Sequence, residues 1–168
     1  GKNGIKMSKS KGNVISPDDL VRDYGCDSLR MYELFVGPPE LDAEWDDRGI
    51  EGVYRFLSRF WNLVMDNKDK NIKARKEMIK ARHKMIHMIT TRLEGFSLNT
   101  VISGFMECNN NLIAIAKKEG GMDKETLEAA VLLLAPFAPH MGEELWEELG
   151  HTDSVFHHEW PAHDEEAM

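Results

Sequence analysis

The chain has 168 residues, of which 42% are hydrophobic and 30% are charged, and its formal net charge is -8. A chain of this length and composition can form a hydrophobic core without disulfide bonds, and it has no apolar run long enough to span a membrane. The acidic net charge argues against a general nucleic-acid-binding protein.

The first predicted element is a basic loop. The sequence Lys-Met-Ser-Lys-Ser at residues 6–10 is followed by Lys11, Gly12 and Asn13, and no acidic residue lies in this stretch. Ammonium groups, hydroxyl groups and the backbone N–H groups around a glycine are suitable donors for a polyphosphate. A solvated basic loop has the same composition, so the spacing alone leaves both interpretations open.

The stretch after the loop predicts helices. Ser16-Pro17-Asp18-Asp19 is a helix-start signal, because serine caps helices and proline suits the first helical turn. The helical pattern continues, with a break near Gly25, until Gly37-Pro38-Pro39 ends it. Residues 38–46 are polar and proline-rich, which predicts an extended connection.

Residues 49–150 predict a helical bundle. Apolar residues at spacings of three and four begin at Ile50, Ile79 and Leu98, and Asp123 can cap a fourth helix. Two prolines, at positions 136 and 139, separate that helix from a fifth. Amphipathic helices with short connections predict an all-α, antiparallel bundle. Residues 151–168 are expected to dock on it as extended chain, and residues 1–48 are expected to form a separate, preceding region.

Charge is distributed unevenly along the chain. Nine acidic residues and no lysine or arginine lie between residues 143 and 168. Residues 66–84 carry three acidic and eight basic residues, the latter being Lys68, Lys70, Lys73, Arg75, Lys76, Lys80, Arg82 and Lys84. Such a basic run suits a phosphate backbone, although a solvated helix face explains it equally well.

Cysteine and histidine residues indicate no redox or metal chemistry. Cys26 and Cys108 form no paired motif, so we interpret both as small hydrophobic residues in a reducing cytosol. His158 and His163 fall one residue outside the spacing of a helical zinc motif, and Pro161 would break the helix. His140, Glu143 and Glu144 would share one helical face, which helix capping and surface pairing explain equally well. The sequence therefore predicts a cytoplasmic protein without a metal site.

Four sequence blocks resemble class I aminoacyl-tRNA synthetases, and together they span about residues 5–161. Residues 6–17 resemble the second ATP-binding signature of that class. The block around Gly37-Pro38-Pro39-Glu40 and Glu44-Trp45 is similar to leucyl-tRNA synthetases rather than to the isoleucyl, valyl or methionyl enzymes. The blocks are residues 6–17, 23–30, 35–57 and 133–146.

The resemblance implies a parent enzyme that joins leucine to tRNA(Leu) through a leucyl-adenylate, with ATP as substrate and Mg²⁺ beside it. In that family the loop closes over ATP. Lys6 and Lys9 are then the expected catalytic residues, and Lys6, Met7, Ser8, Lys9 and Ser10 form the expected ATP-binding loop. The bundle is expected to bind tRNA through Lys73, Arg75, Lys76, Lys80, Arg82 and Lys84.

The chain is expected to be a fragment of that parent enzyme. It begins with glycine, and the first ATP signature of the class, His-x-Gly-His, is absent. We therefore expect the fragment to bind no ATP or Mg²⁺ by itself and to form no adenylate. We also expect a monomer. Two alternatives remain: a stand-alone helical module that binds tRNA or protein without catalysis, and another synthetase of the same subclass.

Overall fold

A computed structural model describes residues 4–37 and 41–168 of the chain. In these residues the regular structure is helical, apart from single β-bridge positions at Ile5 and Trp45. The predicted all-α fold is confirmed. The α-helices are α1 (Pro17–Tyr24), α2 (Cys26–Phe35), α3 (Asp47–Asn67), α4 (Lys76–Glu94), α5 (Leu98–Glu119), α6 (Lys124–Leu134) and α7 (Pro139–Glu148).

The break between α1 and α2 lies at Gly25, as predicted. Gly25 has φ 84° and ψ 158°, a conformation that glycine adopts far more readily than any residue with a side chain. Pro17 occupies the start of α1, where its missing N–H costs nothing. The predicted helix stop at Pro38-Pro39 lies outside the described residues.

Helix α3 begins at Asp47, three residues before Ile50, where the predicted apolar stripe starts. The Asp46 side chain accepts a hydrogen bond from the backbone N–H of Arg48 at 2.9 Å, which caps the helix. The Tyr32 hydroxyl of α2 donates to the Asp46 carbonyl at 3.0 Å and accepts from its N–H at 3.1 Å. Tyr32 therefore attaches α2 to the beginning of α3.

The predicted separation of α6 from α7 is confirmed. Asp123 accepts a hydrogen bond from the Thr126 backbone N–H at 3.0 Å and caps α6. That helix ends at Leu134, before Pro136, and α7 begins at Pro139. Proline has no N–H for a helix-interior hydrogen bond, so the two prolines separate the helices.

The core is one continuous cluster of buried side chains that extends from Leu20 to Val155. As its apolar sequence predicts, most of α6 is buried, and Leu127, Leu133 and Leu134 are fully so. The most extensive interhelical contact joins α4 to α5, and α2 packs on both α3 and α5. The first two helices therefore share the core of the bundle, while the domain boundaries at residues 48 and 150 stay a prediction.

Asp27, in the first turn of α2, also binds the beginning of α7. Its carboxylate accepts hydrogen bonds from the Met141 backbone N–H at 2.8 Å and from the His140 side chain at 3.0 Å. A carboxylate near a helix N-terminus is favourable, because the first N–H groups of a helix lack partners within it. This contact fixes α2, on the loop side of the chain, against α7 of the bundle.

The segment after α7 runs along the bundle as far as α4. Glu143 of α7 binds the Ser154 hydroxyl and the Val155 N–H, and Val155 is buried. The Trp160 indole then donates to the Thr90 hydroxyl at 2.9 Å. Further along, the Asp164 N–H donates to a ring nitrogen of His83 at 3.0 Å. Polar contacts therefore hold this segment at several points along its length.

Cys108 is expected to resist alkylation. The side chain is buried on α5, and burial, together with the nearby Glu107 carboxylate, raises the pKa of its thiol to about 11. At pH 8 about 0.1% of such a thiol is thiolate, compared with about a quarter for a free cysteine of pKa ~8.5. In a Cys26→Ser variant, iodoacetamide should therefore modify the folded chain about 10²-fold more slowly than the urea-unfolded chain.

The rate at which iodoacetamide modifies Cys108 in the folded chain should rise about tenfold per pH unit up to about pH 11, since only the thiolate reacts. Equal rates for the folded and unfolded chains would contradict the assigned burial. Mass spectrometry of the quenched samples gives both rates.

Candidate functional site

The loop at residues 6–13 contains a short 3-10 turn, Lys9–Lys11. The Lys11 N–H donates to the Ser8 carbonyl at 3.0 Å, and the Gly12 N–H donates to the Lys9 carbonyl at 3.2 Å. Gly12 has φ 63°, in the left-handed region that favours glycine. The turn therefore depends on glycine at this position.

Asn13 closes the loop, a role that the sequence analysis missed. Its side-chain oxygen accepts a hydrogen bond from the Ser8 N–H at 2.9 Å, and its amide nitrogen lies 3.4 Å from the Lys6 carbonyl. Asparagine often binds nearby backbone groups in this way. The signal was present in the sequence, but the backbone partners of an asparagine depend on a turn that the sequence does not specify.

The lysines of the loop are available to an anion. Lys6, Lys9 and Lys11 are exposed, and none of them forms an ion pair with another described residue. The Ser8 and Ser10 hydroxyls lie 3.1 Å apart. The loop therefore offers three ammonium groups and two hydroxyl groups, without a carboxylate of its own.

Lys6 differs from Lys9 in its surroundings. Lys6 shares an open cleft of about 380 Å³ with Asp42 and Glu44, so carboxylates compete with any anion for its charge. Lys9 lies at the start of the 3-10 turn and does not line that cleft. Of the two lysines, Lys9 is the one whose charge is less offset by neighbours.

Three of the predicted nucleic-acid-binding residues form a row on α4. Lys76, Lys80 and Lys84 are exposed and lie four residues apart, a spacing that places them on one helix face. Glu77, the acidic residue of this stretch, is paired with Lys118 of α5 at 2.8 Å. The row is therefore not neutralised by its neighbour, and we call it the α4 lysine row.

Lys73 and Arg75 lie just before the α4 lysine row. Lys73 is exposed, and Arg75 is the residue that precedes the first turn of α4. The Arg75 guanidinium pairs with the Glu119 carboxylate and donates to its carbonyl at 3.3 Å. Part of its charge is thus used within the chain, while Lys73 makes no ion pair with a described residue.

Arg82 lies in the interior and not beside the lysines. Only 8% of the residue is exposed, because position 82 falls on the α4 face that also buries Met78 and Met85. Its guanidinium lies 2.8 Å from the Glu125 carboxylate and 3.6 Å from that of Asp123. Arg82 therefore joins α4 to the beginning of α6, and we leave it out of the candidate interface.

The tryptophan and histidine side chains were also candidates for stacking or metal binding. Trp146 is buried, as its position on an apolar stripe predicts, and Trp61 packs partly buried against the core. The histidine groups weighed in the sequence are not brought together as ligands in the described residues. The structure brings together a different set of possible ligands. The ligand atoms of His151, Asp153 and His158 all lie within 4.8 Å of one another.

None of the helices in residues 4–37 and 41–168 is both long enough and apolar enough to cross a membrane.

The sequence of the chain matches two family models of tRNA ligases, one over the basic loop and one over most of the bundle. The model described as tRNA synthetases class I (I, L, M and V) matches residues 1–46. The model described as the anticodon-binding domain of tRNA ligase matches residues 75–168. The chain belongs to this anticodon-binding domain family.

Individual relatives of the chain are ligases for one amino acid, leucine. The chain is 47% identical to the leucine–tRNA ligase of Thermosipho melanesiensis, over 99% of this chain and 22% of that protein. It is 48% identical to the leucine–tRNA ligase of Phocaeicola vulgatus, over 97% of this chain and 17% of that protein. The chain thus spans about a fifth of the length of the curated relatives it matches.

A solved structure has the same fold. The crystal structure of the ternary complex of Agrobacterium radiobacter agnB2 LeuRS with tRNA and LeuAMS is similar over 99% of this chain and 23% of that protein. The TM-score is 0.81 and the sequence identity is 30%. The similarity covers both the basic loop and the bundle.

Proposed function

We propose that this chain is part of a leucine–tRNA ligase and that it supplies the ATP-phosphate loop and a tRNA-binding helical bundle. The observation that carries the proposal is the 47% identity to a leucine–tRNA ligase over 99% of the chain. The reaction would join leucine to tRNA(Leu) through a leucyl-adenylate formed from leucine and ATP. We further propose a cytoplasmic monomer, in keeping with two free cysteines.

Lys9 would act on the ATP phosphates during adenylate formation. Negative charge increases on the phosphate oxygens as pyrophosphate leaves, and a cation placed there lowers the barrier. The exposed ammonium of Lys9, on a turn closed by Gly12 and Asn13, suits this role. Ser8 and Ser10 would donate hydrogen bonds, while Lys6 and Met7 would hold the loop.

We propose that this loop gives no ligand to Mg²⁺. Magnesium ions prefer carboxylate and phosphate oxygens, and residues 6–13 contain no carboxylate. The ion would neutralise phosphate charge when bound. It would then be held by ATP and by residues outside the loop, and the lysines would act on the phosphates directly.

The tRNA backbone would lie along the α4 lysine row, extended by Lys73 and Arg75. Phosphate contacts of this kind position an RNA without reading its sequence. Three ammonium groups at one-turn intervals on a helix face present a line of positive charge to a phosphate backbone. The contrast with the acidic stretch after residue 143 would orient the RNA on this side of the bundle.

Exchange of the α4 lysine row for glutamine should weaken tRNA binding and reduce its salt dependence. Each phosphate contact contributes about 0.7–0.9 to the slope of log K against log salt, so Lys76→Gln/Lys80→Gln/Lys84→Gln should reduce that slope by about 2–3. Fluorescence anisotropy of labelled tRNA(Leu) at several salt concentrations measures the slope.

A triple variant with the same charge change provides the control. Arg22→Gln, Arg48→Gln and Lys124→Gln remove three exposed cations that lie outside α4. The control should change the slope by less than about 1. An equal loss in the two triple variants would show that net charge matters and the α4 face does not.

A further inference from the structure

We infer that His151, Asp153 and His158 form a binding site for a divalent transition-metal ion, with Zn²⁺ chemistry. The inference is independent of the proposed function. The three residues lie in the segment after α7, which leaves the helix through Gly150 with φ 97°. Their ligand atoms all lie within 4.8 Å of one another, and modest side-chain rotation brings such atoms to the ~2 Å that zinc–ligand bonds require.

Both imidazole rings are oriented by Trp146. The His151 ring stacks on the indole with centroids 3.8 Å apart and an interplanar angle of 6°. The His158 ring meets the same indole edge-on, at 4.7 Å and 63°. Because Trp146 is buried in the core, the two rings rest on a fixed support.

Glu128 gives His151 the second contact that metal-binding histidines commonly have. The Glu128 carboxylate lies 2.9 Å from Nε2 of His151, and a carboxylate on one ring nitrogen fixes the tautomer and raises the basicity of the other. Nδ1 is then the nitrogen available to an ion. Lys124 also approaches Glu128, at 3.9 Å, and is the cation that faces this contact.

The loop between the ligands is fixed at both ends. Glu143 binds the Ser154 hydroxyl and the Val155 N–H, and Val155 is buried. The His157 N–H donates to the Ser154 carbonyl at 3.0 Å. A loop held in this way loses little freedom when an ion binds, which favours affinity.

The donor set suits zinc and leaves one position open. Two imidazoles and a carboxylate are ligands that Zn²⁺ takes, and a water completes four-coordination. Nε2 of His158 and the Asp153 carboxylate lie 2.9 Å apart, joined by a hydrogen bond. An ion bound at Nε2 would require the His158 tautomer that carries its proton on Nδ1, and the hydrogen bond to Asp153 would be replaced by a bond from each residue to the ion. Side-chain exposures of 27% for His151, 47% for Asp153 and 34% for His158 allow an ion and its water to enter.

The surrounding charge favours a cation. Glu143, Glu144 and Glu147 line the same open cleft as His151 and Asp153. A bound ion would tie the segment after α7 to the core through Trp146.

Titration of the chelator-treated 168-residue chain with Co²⁺ alone tests this site. We expect one ion per chain, with the visible absorption of a four-coordinate site, displaced by Zn²⁺. His158→Ala and Asp153→Asn should each weaken binding by at least about tenfold. His151→Phe should do the same while it retains a ring against Trp146, which guards against loss of binding through unfolding.

His157→Ala is the matched control, because His157 is the exposed neighbour of His158 and is not in the cluster. It should leave Co²⁺ affinity unchanged. His87→Ala should do the same, because His87 lies on α4 and contacts His163, which is not in the cluster. Circular dichroism melting without metal confirms folding of each variant. Wild-type affinity in folded His151→Phe and His158→Ala, or a loss of binding in either control, would overturn the inference.

Discussion

Lys9→Ala should lower the rate of leucine-dependent pyrophosphate exchange about 10²- to 10³-fold in the longer leucine–tRNA ligase that we propose contains this chain, a loss of about 2.7–4 kcal/mol of transition-state stabilisation. The reason is electrostatic. Lys9 is exposed on a turn whose backbone is closed by Gly12 and Asn13, and no described carboxylate pairs with it. Its charge is therefore free to act where the phosphate oxygens become more negative.

The expected loss is confined to one step of the reaction. Affinity for tRNA(Leu) should change less than about twofold, because the proposed RNA contacts lie on α4. Lys11→Ala is the matched control, since Lys11 is an exposed lysine of the same 3-10 turn. A rate loss for Lys11→Ala as large as that for Lys9→Ala, or equal losses in exchange rate and tRNA affinity, would remove the role assigned to Lys9.

Arg82→Met should destabilise the chain by about 3–5 kcal/mol, because it leaves a buried carboxylate without its cation. The side chain of Asp123 is 4% exposed and lies 3.6 Å from the Arg82 guanidinium. Methionine fills a similar volume, so the loss measures the missing charge rather than a cavity. Urea denaturation gives the free energy of unfolding, with a lower midpoint and an unchanged slope.

Two further variants separate the contributions of the carboxylates. Glu125→Gln should cost less than about 1 kcal/mol, because that side chain is 76% exposed. Asp123→Asn in the Arg82→Met background should recover part of the loss, since it removes the buried charge. If Arg82→Met weakens tRNA binding while stability stays the same, Arg82 belongs to the interface after all, as its sequence position predicts.

The helices were predictable because their start and stop signals are local. Pro17 and Asp123 each lie where a helix begins, and Pro136 separates two helices that would otherwise read as one. The cap of α3, Asp46, was not predicted, because it is fixed by Tyr32 from another helix. Such a contact between helices has no signal in the sequence around either residue.

The candidate sites were less predictable because side-chain partners come from distant positions. Counting charges on α4 grouped Arg82 with the exposed lysines, although the buried partner of Arg82 is Asp123, forty-one residues later. The histidine cluster was missed for a similar reason: His151, Asp153 and His158 lie in irregular chain, where helical spacing gives no guide. Asn13 acts through the backbone of a turn, which its neighbours in sequence do not specify.

Asp27 gives the two halves of the proposed function a physical connection. Its carboxylate fixes the beginning of α2, which follows the basic loop, to the beginning of α7 in the bundle. The two helices that follow the loop therefore share one core with the helices that would meet tRNA.

The amino-acid dependence of ATP–pyrophosphate exchange tests the central proposal most directly. The longer protein that we propose contains this chain is assayed with leucine, isoleucine, valine and methionine, the four amino acids of the matched synthetase class. We predict exchange with leucine at a rate far above that with the other three. Exchange driven by isoleucine, valine or methionine, or by none of the four, would contradict the assignment to a leucine–tRNA ligase.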